Sequence, residues 1–110
     1  MTVKELADQF GYRVLCLPDG ERKISGGYAG DLLSWVISRA KSGDVWVTIM
    51  SNINIVAVAS LSGVSAITIA EGLEIPDEVI SAANAQNVNI LRSKLSSYET
   101  ALAVGRFLAK

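Results

Sequence analysis

A chain of 110 residues that is 50% hydrophobic and 19% charged has the composition of one folded domain, which excludes a disordered tail or a low-complexity linker. Ten basic against eleven acidic residues leave a net charge of −1, and the cations run from Lys4 to Lys110 without forming a stripe, so no nucleic-acid partner is expected. Histidine is absent and Cys16 is the only cysteine, which removes a Cys/His zinc site and an internal disulfide framework and fits a reduced, cytoplasmic setting.

The opening Met1-Thr2-Val3-Lys4-Glu5 lacks the apolar core of an export signal. Thr2 and Glu5 instead have the spacing of a capping box, and Val3, Leu6, Ala7 and Phe10 share one helical face before Gly11 stops it. Arg13 to Leu17 reads as a strand, Pro18-Asp19-Gly20 as a turn, and Arg22 to Ser25 as a second extended piece. The segment from Ser25 to Ser34 then carries three glycines into an acidic residue. Its outline is that of a phosphate cradle, but Gly30-Asp31-Leu32 stands where a P-loop needs Gly-Lys-Ser/Thr. A tight turn with Asp31 as N-cap of the next helix explains the same residues.

That helix is predicted from Leu32 to about Lys41, with Ser42-Gly43 as its stop. Val45 to Ala70 holds no charge and is long enough to span a bilayer, but Ser51, Asn52, Asn54, Ser60, Ser62, Gly63, Ser65 and Thr68 interrupt it. It divides into a buried strand (Val45 to Met50), a helix with little solvent face (Ile53 to Leu61, capped by Ser51 or Asn52) and another strand (Ser65 to Ala70), so no membrane is expected. Pro76 opens a helix to about Ala85 with Asp77 and Glu78 at its positive end, and Asn87 suits a left-handed stop. Val88 to Leu91 is a short strand. Ser96 and Glu99 repeat the capping box before a last helix, with Tyr98, Ala101, Leu102, Gly105 and Leu108 on one face. Trp46 reads as core, and Trp35, off the apolar face of its helix, as an interface residue.

The alternation predicts an α/β fold, a single layered domain over residues 1–110 with a largely parallel central sheet, right-handed crossovers and helices on its faces. Two groups are candidate ligand contacts. Ser25, Gly26, Gly27, Gly30 and Asp31 form the glycine segment, and Thr48, Ser51, Asn52 and Asn54 surround the exit of the strand that starts at Val45, the end of an open parallel sheet where ligands gather. Arg92, Ser93 and Lys94 follow the last strand in the same way and offer an acidic ligand a further place. Without an imidazole base neither Cys16 nor a serine has a ready activator, so no enzyme activity, cofactor or metal is expected.

The opening helix from Met1 to Ala7, Gly26 to Ser34, Trp46-Val47-Thr48-Ile49-Met50, Asn54 to Leu61 and Ser97 to Thr100 together resemble the DRTGG domain, whose fold is similar to the N-terminal domain of HPr kinase/phosphorylase. The namesake string is absent; Glu21-Arg22-Lys23-Ile24-Ser25-Gly26-Gly27 is the nearest stretch. Related domains stand beside CBS domains in regulated pyrophosphatases and within some phosphotransacetylases. The resemblance implies a non-enzymatic regulatory or protein-interaction module, a homodimer that senses a small anionic or nucleotide ligand or docks on a metabolic protein. The alternative it implies is an accessory to nucleotide handling or phosphoryl transfer. It supplies no catalytic residues.

Overall fold

The computed structural model describes residues 1–109. In chain order the elements are α1 (Val3–Phe10), β1 (Arg13–Cys16), β2 (Gly26–Ala29), α2 (Leu33–Arg39), β3 (Asp44–Thr48), α3 (Asn54–Ser62), β4 (Ala66–Ile69), α4 (Asp77–Ala85), β5 (Ile90–Arg92) and α5 (Ser97–Leu108). Both capping boxes form: the Thr2 and Ser96 hydroxyls accept from Glu5 N and Glu99 N, and each glutamate reaches back to its cap. Gly11 and Gly63, at φ of 66° and 76°, end α1 and α3 in the left-handed conformation.

The strands make one five-stranded sheet in the order β1-β5-β4-β3-β2. Strands β2, β3, β4 and β5 run parallel, and β1 closes the far edge antiparallel to β5. Alternation along the strands sends Trp46, Ile67, Ile69, Ile90 and Cys16 to one face, where they pack with buried residues of α2, α3 and α4. Val45, Val47, Ala66, Ala70 and Leu91 go to the other, under Val3, Leu6 and Ala7 of α1 and Val104 and Phe107 of α5. Strands covered on both faces explain the long charge-free run, which needs no membrane. Among the described residues no helix is long and apolar enough to cross one.

Three sequence expectations are corrected. The extended piece at Arg22 to Ser25 amounts to one bridge between Thr2 and Lys23; the strand begins at Gly26, where pairing with Asp44 starts. Helix α3 has an open face of Ile53, Ala57, Ser60 and Leu61, the last 75% exposed. On α5 the buried stripe is Thr100, Ala103, Val104 and Phe107, whereas Tyr98 is 74% exposed and Leu102 faces outward. Two apolar stripes compete on that helix. The winner contains a threonine, which the apolar pattern hides and whose hydroxyl donates to Ser93 Oγ at 2.9 Å.

The turn before β2 is tied down from inside. Fully buried Asn89 donates through Nδ2 to Asp19 O at 2.7 Å and Ser65 O at 2.9 Å, and its Oδ1 accepts from Asp19 N at 3.0 Å. Replacing it by Ala strands two carbonyls and an amide, and at about 1 kcal/mol for each lost bond Asn89→Ala should cost about 3 kcal/mol in urea unfolding. A loss under about 0.5 kcal/mol would mean that these bonds do not hold the turn.

Candidate functional site

The glycine segment does not form a cradle. Gly26 and Gly27 lie within edge strand β2, opposite Asp44 and Val45. A Cβ on Gly26 would stand 2.7 Å from Asp44 Oδ1, and one on Gly27 3.3 Å from Val104 Cγ1. Small residues are therefore required by the approach of a carboxylate on one side and of α5 on the other. Asp31 does not cap α2, whose N-cap is Leu32 with no side-chain bond. Its Oδ1 accepts instead from Thr48 Oγ1 at 2.7 Å and Ile49 N at 2.9 Å, two donors at the exit of β3.

The neighbouring groups are engaged in the same way. Gly30 N donates to Val47 O at 3.1 Å, and Gly30 O accepts from Trp46 Nε1 at 2.8 Å. Thr48 Oγ1 accepts from Met50 N at 3.1 Å, and Asn52 Oδ1 from Asn54 N at 2.9 Å as α3 begins. Gly30, Asp31, Thr48, Ser51, Asn52 and Asn54 thus gather at the exit ends of β2 and β3. Ser25 and Gly26 lie at the opposite end, where Ser25 N donates to Gly43 O. The length of β2, roughly 13 Å at the rise of a parallel strand, separates the two groups. Nor does the sheet offer a switch point at its exit edge, because α2, α3 and α4 all pack on one face and the order of β2 to β5 never reverses.

The charged recess lies at the other side of the sheet. A cleft of about 500 Å³ is lined by Phe10, Gly11, Tyr12, Arg13, Arg92, Ser93, Lys94 and Leu95. Three of these are cations and none is a carboxylate. Arg13 stands directly opposite Arg92 in the antiparallel pair, an arrangement in which like charges destabilise a sheet. Glu74 reaches Arg92 at 3.8 Å but is 94% exposed, so water screens the pair and its contribution is small.

Tyr12 is buried in the same wall, and its hydroxyl has no hydrogen-bond partner. Ser93 lies beside it; its Oγ accepts from Leu95 N at 3.1 Å and Thr100 Oγ1 at 2.9 Å and keeps its own proton to donate. Burial pushes the Tyr12 pKa up, against a smaller opposing effect of Ser93, so the group stays a neutral phenol. Arg92, Ser93 and Lys94 were legible as a loop after the last strand. Arg13 was not, because only the pairing of β1 with β5 brings it there. Among the described residues no group of three or more Cys, Asp or Glu side chains is placed to hold a metal ion.

A singly wound, mostly parallel α/β sheet with an antiparallel edge strand is the class of domain that this geometry defines. The DRTGG domain family matches residues 28–107, and the chain belongs to that family. The matched span opens at Tyr28, so Gly26 and Gly27 precede it. Among solved structures the fold is similar to the CBS and DRTGG domains of the regulatory region of Clostridium perfringens pyrophosphatase, complexed with the activator diadenosine tetraphosphate. The TM-score is 0.73 over 94% of this chain, with 13% sequence identity. This chain spans 45% of that one. No curated protein matches.

Asp31 ties the exits of β2 and β3 together. Asp31→Ala should therefore lower stability by about 1–2 kcal/mol in urea unfolding and leave the thermal response to added phosphate unchanged. Unchanged stability with an altered phosphate response would reverse that assignment.

Proposed function

We propose that this protein is a non-enzymatic regulatory module that holds a small anionic ligand in the Arg13, Arg92 and Lys94 cleft and works as a homodimer. The observation that carries the ligand reading is the pairing of Arg13 against Arg92, joined at the cleft by Lys94. The strands keep these like charges in opposed register with one exposed carboxylate in reach of Arg92, and a bound anion offsets them. Family membership agrees with a regulatory role, as does the solved relative, whose crystallised region is regulatory and holds an activator.

Self-association is supported by the open edge at β2. Between this strand and α5 runs a groove of about 290 Å³, walled mainly by Tyr28, Ala29, Val47, Ala101, Val104 and Leu108. Two copies that pair β2 antiparallel across a two-fold axis satisfy the free edge amides and carbonyls and cover this surface. On the other face Leu32 and Trp35 before and on α2, and Ile53 and Leu61 around α3, are exposed and suit a protein partner. Arg39 stacks 3.8 Å over the Trp35 ring.

Two measurements test the reading. Arg13→Glu replaces repulsion by attraction, so it should raise the stability of the free protein by about 0.2–1 kcal/mol while abolishing the rise in Tm that millimolar pyrophosphate gives the parent. A variant that kept the response would place the anion elsewhere. In sedimentation velocity at tens of micromolar the parent should run as a dimer, and Gly105→Glu as a monomer, since Gly105 borders the groove and a Cβ there meets nothing within 4 Å. A monomeric parent removes the dimer.

A further inference from the structure

The cationic cleft does not end at its cations. A second recess, of about 250 Å³, is lined by Phe10, Leu95, Glu99, Leu102, Ala103 and Arg106, and it shares Phe10 and Leu95 with the first. The two adjoin at these residues as a trough with one cationic half and one of mixed, mainly apolar lining. One half carries Arg13, Arg92 and Lys94, with Tyr12 in its wall. The other has an apolar floor, on which Leu95 and Leu102 are 41% and 38% exposed.

The shared wall is fixed in place. The Phe10 ring stacks on Tyr12 with centroids 5.7 Å apart and meets Phe107 edge-on at 6.3 Å. Glu99 is held by the capping box at Ser96. An inorganic anion fills only the cationic half and leaves Phe10, Leu95 and Leu102 open to water. A ligand with a ring attached to its phosphate covers them as well, which matches the usual composition of a small-molecule site: mostly apolar walls with a few convergent polar groups.

Resting on the reading of the cleft as an anion site, we infer that its ligand is a phosphate ester carrying an aromatic group, of which a nucleotide is the commonest kind. The phosphate lies against Arg13, Arg92 and Lys94, and the ring against Phe10, Leu95 and Leu102. Specificity then comes from the second half, because the first reads only negative charge.

Isothermal titration of the full chain separates the two halves, with adenosine triphosphate and phenyl phosphate as ring-bearing probes and tripolyphosphate and inorganic phosphate as their counterparts. The expected result is tenfold or tighter binding of each ring-bearing probe than of its counterpart. Leu102→Ser, in the second recess alone, should cut that advantage at least threefold without changing tripolyphosphate binding, and Arg92→Gln should weaken both kinds of probe. Leu102 is exposed, and circular dichroism of the variant should match the parent. If the ring-bearing probes bind no tighter than their counterparts, or Leu102→Ser keeps their full advantage, the two-part site is overturned while the anion site stands. If none of the four probes binds, both are overturned.

Discussion

The antiparallel pairing of β1 with β5 is the constraint on which the rest of this structure depends. It joins the first strand to the last, closes the sheet on the side away from β2, and sets Arg13 against Arg92. It also fixes the ends of two helices beside one another. The C-terminus of α1 runs through Gly11 and Tyr12 into β1, and the loop after β5 leads into the N-terminus of α5. The trough is what remains between them. Buried contacts on the inner face, where Leu6, Tyr12, Leu91 and Phe107 belong to one cluster, hold this arrangement whatever the charges at its rim. The apolar core therefore outweighs the arginine repulsion, and a ligand can use charge that folding does not neutralise.

The opposite edge is governed by close approach. Gly26 admits the Asp44 carboxylate and Gly27 admits Val104 of α5, so the strand lies near both its neighbour and its covering helix. Beyond it, Asp31 is spent on Thr48 and Ile49, and the Gly30 carbonyl on Trp46. Gly30, Asp31, Thr48 and Asn52 each have a structural partner at that end. Tyr12 near the other edge has a buried hydroxyl without one, as does Thr68 within β4.

Much of this was legible in the chain because local chemistry decided it. Thr2 with Glu5 and Ser96 with Glu99 start helices by bonds made within four residues, and the run from Val45 to Ala70 needs burial on both faces wherever it lies. What escaped were choices made between distant segments. Asp31 had the spacing of an N-cap, but the donors that claimed it belong to the next strand. Leu102 and Ala103 are equally fit for a helix interior, and only the sheet beneath α5 selects one of them. Arg13 carried no signal at all, since its partner Arg92 stands 79 residues further along the chain. The glycines were conspicuous in the sequence and the arginines were not, which is why the candidate site shifted from one edge of the sheet to the other.

The central claim, that the fold keeps a cationic trough for an anion, is tested most directly by mapping where one binds. In a ¹⁵N-resolved NMR titration with pyrophosphate, the account predicts saturable shifts concentrated on the amides of Phe10 to Arg13 and Arg92 to Leu95, with those of Gly26 to Asp31 and Thr48 to Asn54 left in place. Shifts centred on the glycine segment, or none at millimolar ligand, would contradict it.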